Sequence, residues 1–536
     1  MIAISLAVAL AAASPISAGH IRADVRVLSS DAFGGRGPGE AGEAKTIDYL
    51  AKQFAAAGLQ PGGENGGWYQ DVPLVRLDRV PGAAMVLGVK GTARALVLGR
   101  DAALSLRTAG TTTVDAAPLV FAGFGIVDRA KGWDAYAGVD ITGKIAVVLA
   151  NDPDFEGGRD LGFEGRRMVY AGRVGAKLEA AAKAGAIGAL VIHEDAAASY
   201  PFSQVGSGDA LPAFAFAPLT ASAFKLSGWL TRDVAIDLLR RHGLTLEGVK
   251  TRARDPGFRA FALDGSTVSV TGTITATAVV SHNVIARLTG ASRPNEVVLY
   301  GAHWDANGTN GPDATGDTIR NGAVDNATGT AEVLEIARGF AHGPRPARTV
   351  IFAAWTAEEK GLLGSDYYAA HPRYPLATTA LMINLDPHVV LPAARDIELI
   401  GGGRTPVEAD VRRIAATQGL RVDDEPAVEA GWYFRSDQYS FAKRGVPAIT
   451  FRAGRDLVDG GLAAGVPLVA DYNARRYHQP SDEFDPKWSF AGTAQEASVA
   501  FALGTEVANS TAWPGWNPGG EYAPLRDATA AMRGVK

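Results

Sequence analysis

Histidine, aspartate and glutamate residues follow short apolar segments at five places in the second half of the chain. In chain order these residues are His303 with Asp305, then Asp325, then Glu358 with Glu359, then Asp386, and finally His478. Imidazole nitrogen and carboxylate oxygen are ligands that suit Zn²⁺, and Co²⁺ or Mn²⁺ can occupy the same set. The whole ordered set is far more specific than any one motif, and it predicts a metal centre.

Each motif taken alone also has an ordinary structural explanation. His303 and Asp305 lie two residues apart and share a side if the chain is extended, so the carboxylate can fix the imidazole, or the pair is merely structural. Asp325 precedes a helical pattern, where a helix N-cap is favoured and a carboxylate that bridges two metals is the alternative. Glu358 and Glu359 are either two solvated charges or a metal ligand beside a free base.

Charge counting is compatible with two divalent ions. Asp325, Glu359 and Asp386 carry three negative charges and a bridging hydroxide would add a fourth, which balances two M²⁺ while the histidines stay neutral. Cysteine is absent from the 536 residues and there are nine histidines, which excludes disulfides, thiol nucleophiles and Cys-ligated metals. Any metal must therefore be held mainly by His, Asp and Glu.

The composition indicates a folded protein with more than one domain. Hydrophobic residues make up 47% of the chain, which is enough to build sizeable cores at this length. The net charge is −5, and both signs are spread along the sequence. Because no basic run is present, no nucleic-acid partner is expected.

The N-terminal residues up to Ala18 form an apolar stretch of signal-peptide length, with a possible cleavage site after Ala18. The stretch begins without Lys or Arg, and a buried N-terminal strand or helix is the alternative. We expect a cleaved leader and export to the periplasm or the medium. No later window reaches ~18 uninterrupted apolar residues, so no membrane span is expected in the mature protein.

The elements that must position the motifs follow from the apolar periodicity. Residues 41–57 have the pattern of a helix. Residues 114–260 show short apolar strands between glycine-rich turns and one helix, which indicates an accessory unit. Further strands are predicted at residues 297–300, 349–355 and 381–385. Their alternation with loops and helices is typical of an α/β sheet flanked by helices, where active sites collect beyond the carboxyl ends of the strands.

With these motifs the sequence resembles the M28 family of zinc-dependent aminopeptidases and carboxypeptidases, in particular members with an inserted protease-associated (PA) domain. The segments that carry the resemblance beside the metal motifs are residues 28–37, 123–150, 185–194, 434–448 and 477–484. The resemblance implies an α/β fold with a mixed central sheet flanked by helices, as in zinc exopeptidases, and a smaller β-rich PA insert. It divides the chain into a signal peptide at 1–18, the N-terminal part of the catalytic domain at 19–113, the inserted PA domain at 114–262, the catalytic dizinc peptidase domain at 263–520 and a C-terminal tail at 521–536.

Carried over residue by residue, the resemblance implies two zinc ions. His303 and Asp386 would hold one ion. Glu359 and His478 would hold the other, and Asp325 would bridge the two.

The resemblance also implies roles for residues beside the ligands. Glu358 would be the general base, Asp305 would orient the first histidine ligand, and Tyr477 would hydrogen-bond the tetrahedral oxyanion. Two positions depart from the family pattern: His388 follows a ligand by two residues and is a surface or structural residue or an extra ligand, and Gln438 stands where relatives often carry histidine. Neither departure removes an expected ligand.

The expected activity is exopeptidase cleavage of a peptide substrate, with an aminopeptidase as the leading hypothesis. Arg435 offers a hint of a carboxypeptidase or dipeptidase, because its planar fork of donors matches a carboxylate, although a solvated loop arginine is the alternative. A glutaminyl cyclase that uses one zinc, and a non-catalytic binding protein on the same fold, remain open. The related M20 peptidases insert their second domain between catalytic motifs, whereas the insert here precedes His303. The role of the insert and the oligomeric state are left open.

Overall fold

The computed structural model describes residues 15–106, 108–157, 160–208, 211–220, 222–387 and 389–534. Two units with separate apolar cores are joined by one long strand, Phe261–Leu288. Residues 1–14 of the expected leader and His388 lie outside the described residues. The helix Ala18–Leu28 begins at the last residue of the expected leader, and the Ser17 side chain is its N-cap.

The strands of the first unit form a mixed sheet. Its order from one edge is Arg421–Asp424, Asp396–Ile400, Ala448–Ala453, Thr379–Asn384, Arg293–His303, Arg348–Trp355, the end of Phe261–Leu288, and Tyr69–Arg79 with Gln60–Pro61. The four strands from Ala448–Ala453 to Arg348–Trp355 are parallel to one another, and Phe261–Leu288 runs antiparallel to its neighbours.

Helices cover both faces of this sheet. Along the strand Arg293–His303, Val298 and Tyr300 belong to one apolar cluster, while Val297 and Leu299 belong to the other. Successive strand residues point to opposite faces, so two buried faces require two helical layers. The helices of this unit are Ala18–Leu28, Ala41–Ala56, Gly329–His342, Leu363–Ala370, Val407–Thr417, Gln438–Ala442, Gly461–Arg475, Ala491–Asn509 and Ala523–Asp527.

The second unit is rich in strands. They are Ala84–Val89, Thr92–Leu96, Ala102–Leu106, Gly110–Phe121, Val127–Asp128, Trp133–Asp134, Ile145–Leu149, Gly188–His193, Ala213–Phe216, Leu226–Thr231 and the first half of Phe261–Leu288. The helices are Val174–Lys183, Asp195–Ala198, Phe202–Gly208, Arg232–Arg241 and Leu246–Ala253. The apolar core of this unit also includes side chains between residues 75 and 106, ahead of the expected boundary at 114. The domain boundaries stay predictions.

The fold predicted from the sequence is confirmed for the first unit, which has a mixed central sheet flanked by helices. The helix predicted at residues 41–57 is Ala41–Ala56, and the strands predicted at 349–355 and 381–385 are Arg348–Trp355 and Thr379–Asn384. None of the helices in the described part of the chain combines the length and apolar character needed to cross a membrane.

Candidate metal centre

The ends of three adjacent parallel strands bring four of the predicted site residues to one edge of the sheet. His303 is the last residue of its strand and pairs with Trp355 of the neighbouring strand. Glu358 and Glu359 lie in the turn that follows that neighbour, and Asp386 follows the strand on the other side. Parallel strands end at the same edge of a sheet, so these side chains converge although they are far apart in sequence.

Asp325 reaches the same edge from the turn Ala323–Thr328, which precedes the helix Gly329–His342. The N-cap favoured for Asp325 from its motif alone is wrong, because the cap position of this helix is Thr328. The N–H of Gly329, the first helical residue, donates to Oδ1 of the neighbouring Asn326 at 2.7 Å. The Asp325 carboxylate is thereby left to face the centre.

Asp325 lies between the two histidines. Its Oδ1 is 3.3 Å from Nε2 of His303, and its Oδ2 is 3.2 Å from Nε2 of His478. Asp386 Oδ1 lies 3.6 Å from the first imidazole nitrogen, and Glu359 Oε2 lies 3.0 Å from the second. Two groups of three possible ligands result, each with its ligand atoms within 4.8 Å of one another, and Asp325 belongs to both.

Asp305 connects the first histidine to the neighbouring glutamate. Nδ1 of His303 lies 3.1 Å from the backbone carbonyl oxygen of Asp305 and 3.7 Å from its carboxylate. The carboxylate itself accepts a hydrogen bond from the Glu358 N–H at 3.0 Å. The backbone carbonyl of Asp305 is therefore the nearer partner of the imidazole, while its fully buried carboxylate fixes the backbone that carries Glu358.

The carboxylates at this edge are buried and close together, and this arrangement favours a bound cation. Burial would lower the pKa of His303, but the carboxylates around it, led by Glu358, raise that pKa well above its ordinary value. Burial raises the pKa of Glu358 well above its ordinary value, and the neighbouring carboxylates of Asp437 and Asp386 add to the rise. Burial alone would raise the pKa of Asp325, yet the two histidines beside its carboxylate bring that pKa far below its ordinary value.

The atoms in this cluster fit one or two divalent cations. Among the described residues, buried Nε2 of His303 and Oε1 of Glu359 have no hydrogen-bond partner. Unpartnered buried polar atoms are costly unless something outside the chain satisfies them. A set of imidazole nitrogens and carboxylate oxygens is the donor set expected for Zn²⁺, and Co²⁺ or Mn²⁺ suits it as well.

Arg36 is a residue of the site that the motif reasoning missed. Its guanidinium is fully buried and donates four hydrogen bonds to backbone carbonyls. The acceptors are Trp304 at 2.7 Å, Leu28 at 2.8 Å, Asn321 at 2.6 Å and Gly322 at 2.8 Å. Arg36 thus ties the loop that follows His303 to the loop that precedes Asp325. The only signal in the sequence was its place in the segment 28–37.

Asp482 is a second missed residue, although it lies in the motif that contains His478. Its carboxylate accepts hydrogen bonds from the N–H groups of Val324 and Asp325, both at 3.1 Å, and from the Tyr472 hydroxyl at 3.2 Å. Asp482 therefore holds the backbone of the central carboxylate in place.

Tyr477 and Gln438 lie at the wall of a cleft above the cluster. The Tyr477 ring stacks on His478, with ring centroids 3.8 Å apart. The Gln438 amide bonds to the framework: its Oε1 accepts from Asn384 at 2.8 Å and its Nε2 donates to the Tyr433 carbonyl at 2.7 Å. Gln438 consequently stabilises the strand that leads to Asp386.

The cleft has a volume of about 490 Å³ and opens between the two units. The cluster forms its floor, and one wall comes from Tyr170, Arg173 and Glu179 of the second unit. A cleft of this size is in the usual range for small-molecule sites.

Comparisons with known proteins agree with this picture. Residues 283–502 match Peptidase family M28. A probable zinc metalloprotease of Pyrenophora tritici-repentis (strain Pt-1C-BFP) is 31% identical over 240 residues, which are 43% of this chain and 51% of that protein. Another from Pyrenophora teres f. teres (strain 0-1) is 43% identical over 103 residues, which are 19% of this chain and 22% of that protein. The chain thus spans about half of the first relative's length and about a fifth of the second's.

A solved structure shares the fold over nearly the whole chain. The aminopeptidase from Aneurinibacillus sp. strain AM-1 is 20% identical, covers 92% of this chain and 95% of its own, and has a TM-score of 0.55. At this identity the likeness concerns the fold. The likeness to a family comes from the sequence match: residues 283–502 of this chain match peptidase family M28.

Proposed function

We propose that the protein is a zinc-dependent exopeptidase with two metal ions, which releases N-terminal residues from peptides. The observation that carries the proposal is the position of Asp325, whose two carboxylate oxygens each face a different histidine. Each histidine has a further carboxylate beside it, from Asp386 or Glu359. The family match and the zinc metalloproteases among the relatives support the choice of zinc.

The side chains around the ligands would perform the proton transfers. Bound divalent ions would supply Lewis acidity, which acidifies a water molecule and polarises the scissile carbonyl. Glu358 takes a proton from the attacking water, whose oxygen bonds to the carbonyl carbon, and delivers that proton to the amine as the C–N bond breaks. Its backbone is fixed by Asp305 for this task. Tyr477, stacked on His478 at the wall of the cleft, would donate its hydroxyl proton to the oxyanion.

We further propose that residues 1–18 direct export and that the second unit corresponds to a PA insert. The apolar leader and the strand-rich character of the second unit support these assignments. N-terminal sequencing of the protein recovered from cell fractions tests the leader. An exported protein that begins after Ala18 supports it, and a full-length protein in the cytoplasm refutes it.

The decisive test combines metal content with hydrolysis of peptides that have a free N-terminus, a blocked N-terminus or a free C-terminus. We expect two zinc ions per chain and cleavage that requires a free N-terminus. Fewer than two ions at full occupancy, together with no hydrolysis, would refute the proposal. Cleavage of N-blocked peptides alone would change the assignment to a carboxypeptidase.

Substitution of the two adjacent glutamates separates catalysis from metal binding. Glu358→Gln should keep both ions and lower kcat by about 10²- to 10⁴-fold, because the amide cannot accept the proton. Glu359→Gln should lose metal, since Glu359 contacts His478. Glu247→Gln, on an exposed glutamate of the second unit, is the control and should change neither property. Unchanged turnover in Glu358→Gln would exclude this residue as the base.

A further inference from the structure

Two arginines from different units line the same cleft as the metal cluster. Arg173 precedes the helix Val174–Lys183 of the second unit, and Arg435 lies in the turn before Ser436 of the first. The positive charge of Arg435 is close enough to repel that of Arg173. Two guanidinium groups that face one cleft are unfavourable unless an anion joins them.

Neither arginine forms an ion pair with a carboxylate in the described part of the chain. The Arg173 guanidinium also has no hydrogen-bond acceptor among the described residues. For Arg435, Nη2 donates to the Ala198 carbonyl at 3.4 Å, a long contact, while the buried Nε is without a hydrogen-bond partner among them. Two aromatic rings orient this side chain, Trp432 with its centroid at 4.6 Å and Tyr200 at 5.4 Å.

The two other charged residues that line the cleft outside the metal cluster have partners of their own. Glu179 accepts a hydrogen bond from the Tyr170 hydroxyl at 3.1 Å and lies 3.8 Å from Lys183. Lys443, also at the cleft, pairs with Asp366 at 2.7 Å. The environment of Arg173 is otherwise aromatic, and burial lowers its pKa to about 10, so the guanidinium stays charged at neutral pH.

Another arginine at the contact between the units shows the contrast. Arg166 comes from the second unit and donates to the Glu429 carboxylate of the first at 3.0 Å. Arg166 thus has a carboxylate partner, and neither residue of this ion pair lines the cleft. Arg173 and Arg435, by contrast, line the cleft without an ion pair to a carboxylate among the described residues.

We propose that Arg173 and Arg435 form a carboxylate-binding subsite, so that the substrates are short peptides whose carboxylate reaches the wall of the cleft. This inference rests on the proposed peptidase function. A guanidinium fork matches a carboxylate through two parallel hydrogen bonds, and the buried Nε of Arg435 supplies a donor that lacks an acceptor. The carboxylate is either the C-terminus of a di- or tripeptide or an acidic side chain near the scissile bond.

The test compares the zinc-loaded enzyme on matched substrate pairs. The first pair is Ala-Ala-Ala with a free or an amidated C-terminus, and the second is Ala-Glu-amide and Ala-Gln-amide. We expect kcat/KM to favour the charged member of one pair by about tenfold or more, and the pair that responds identifies the source of the carboxylate. Arg173→Gln and Arg435→Gln should each reduce this preference by about tenfold, and the lysine variants should retain part of it.

Arg166→Gln is the control and should keep the preference. If wild type hydrolyses charged and neutral members equally well in both pairs, the subsite is refuted while the peptidase function stands. If no peptide is hydrolysed, the proposed function fails, and calorimetric titration of Ala-Ala-Ala acid and amide into wild type and Arg173→Gln decides the subsite separately. Tighter binding of the acid that is lost in the variant supports it, and equal binding refutes it.

Discussion

Replacing Arg36 by lysine tests whether this buried side chain fixes the geometry of the metal centre. The guanidinium donates four hydrogen bonds from three nitrogen atoms to carbonyls in three separate segments of the chain. Burial lowers its pKa to about 10, so it is charged at neutral pH. A lysine ammonium keeps the charge but donates at most three bonds from a single atom. It cannot reach acceptors that a guanidinium contacts on different sides.

The expected loss follows from this count. A hydrogen bond from a charged donor contributes about 1.5–3 kcal/mol, and a buried acceptor left unsatisfied costs about 1–3 kcal/mol. Loss of one of the four bonds should therefore destabilise the first unit by about 3 kcal/mol. The first unit has roughly 300 residues. An unfolding entropy of about 2.1 cal/mol/K per residue then gives a shift of about 1.6 °C for each 1 kcal/mol, so Tm should fall by roughly 5 °C.

Calorimetry of the zinc-loaded and the metal-free protein measures this effect. Zinc affinity, from competition with a chelator, should weaken by about 10- to 100-fold, because Arg36 holds the loops that carry His303 and Asp325. Arg22→Lys is the matched control: Arg22 also donates to backbone carbonyls, those of Trp488 and Pro486, but at the surface. A Tm within about 2 °C of wild type and an unchanged zinc affinity in Arg36→Lys would refute the positioning role.

Two further predictions address positioning and pH. Asp482→Asn replaces one of the carboxylate oxygens that accept the N–H groups of Val324 and Asp325, so zinc affinity should fall by about 10- to 100-fold in a chelator titration; unchanged affinity would contradict this role. The hydrogen bond between His282 and Glu43, at 2.9 Å, raises the histidine pKa above 6.5. The resulting stability is complete below pH 6.5 and is lost as the pH rises through the folded-state pKa. The difference in Tm between wild type and His282→Gln should therefore shrink as the pH is raised from about 6 to about 9; a constant difference would exclude the linkage.

The candidate ligands could be found in the sequence because each follows an apolar strand or lies in a distinctive motif. Strands at residues 349–355 and 381–385 were predictable from their apolar runs, and parallel strands end at a common edge. The convergence of His303, Glu359 and Asp386 thus follows from local pattern and a general rule of α/β sheets. The local pattern favoured the wrong role for Asp325. The sequence does not show where the helix begins or which side chain accepts its first N–H, and the structure gives Thr328 as the cap and Asn326 as that acceptor.

The roles of Arg36 and Asp482 were beyond the sequence for a different reason. Both bind backbone groups of other segments of the chain. Because nearly every residue carries the same backbone carbonyl and N–H, the residue types at those positions do not indicate the contact. Arg36 looks like an ordinary loop arginine until its side chain is found buried against residues 28, 304, 321 and 322.

The sequence by itself determined the chemistry available to this protein: with no cysteine and nine histidines, a metal has to be held by imidazole and carboxylate, and the ordered motifs name the candidates. The tertiary structure decided which oxygen of Asp325 faces which histidine, and it brought Arg173 and Arg435 to the lining of the same cleft. Residue types are local properties of the chain. Distances between side chains from different units depend on how both units pack around the long strand Phe261–Leu288.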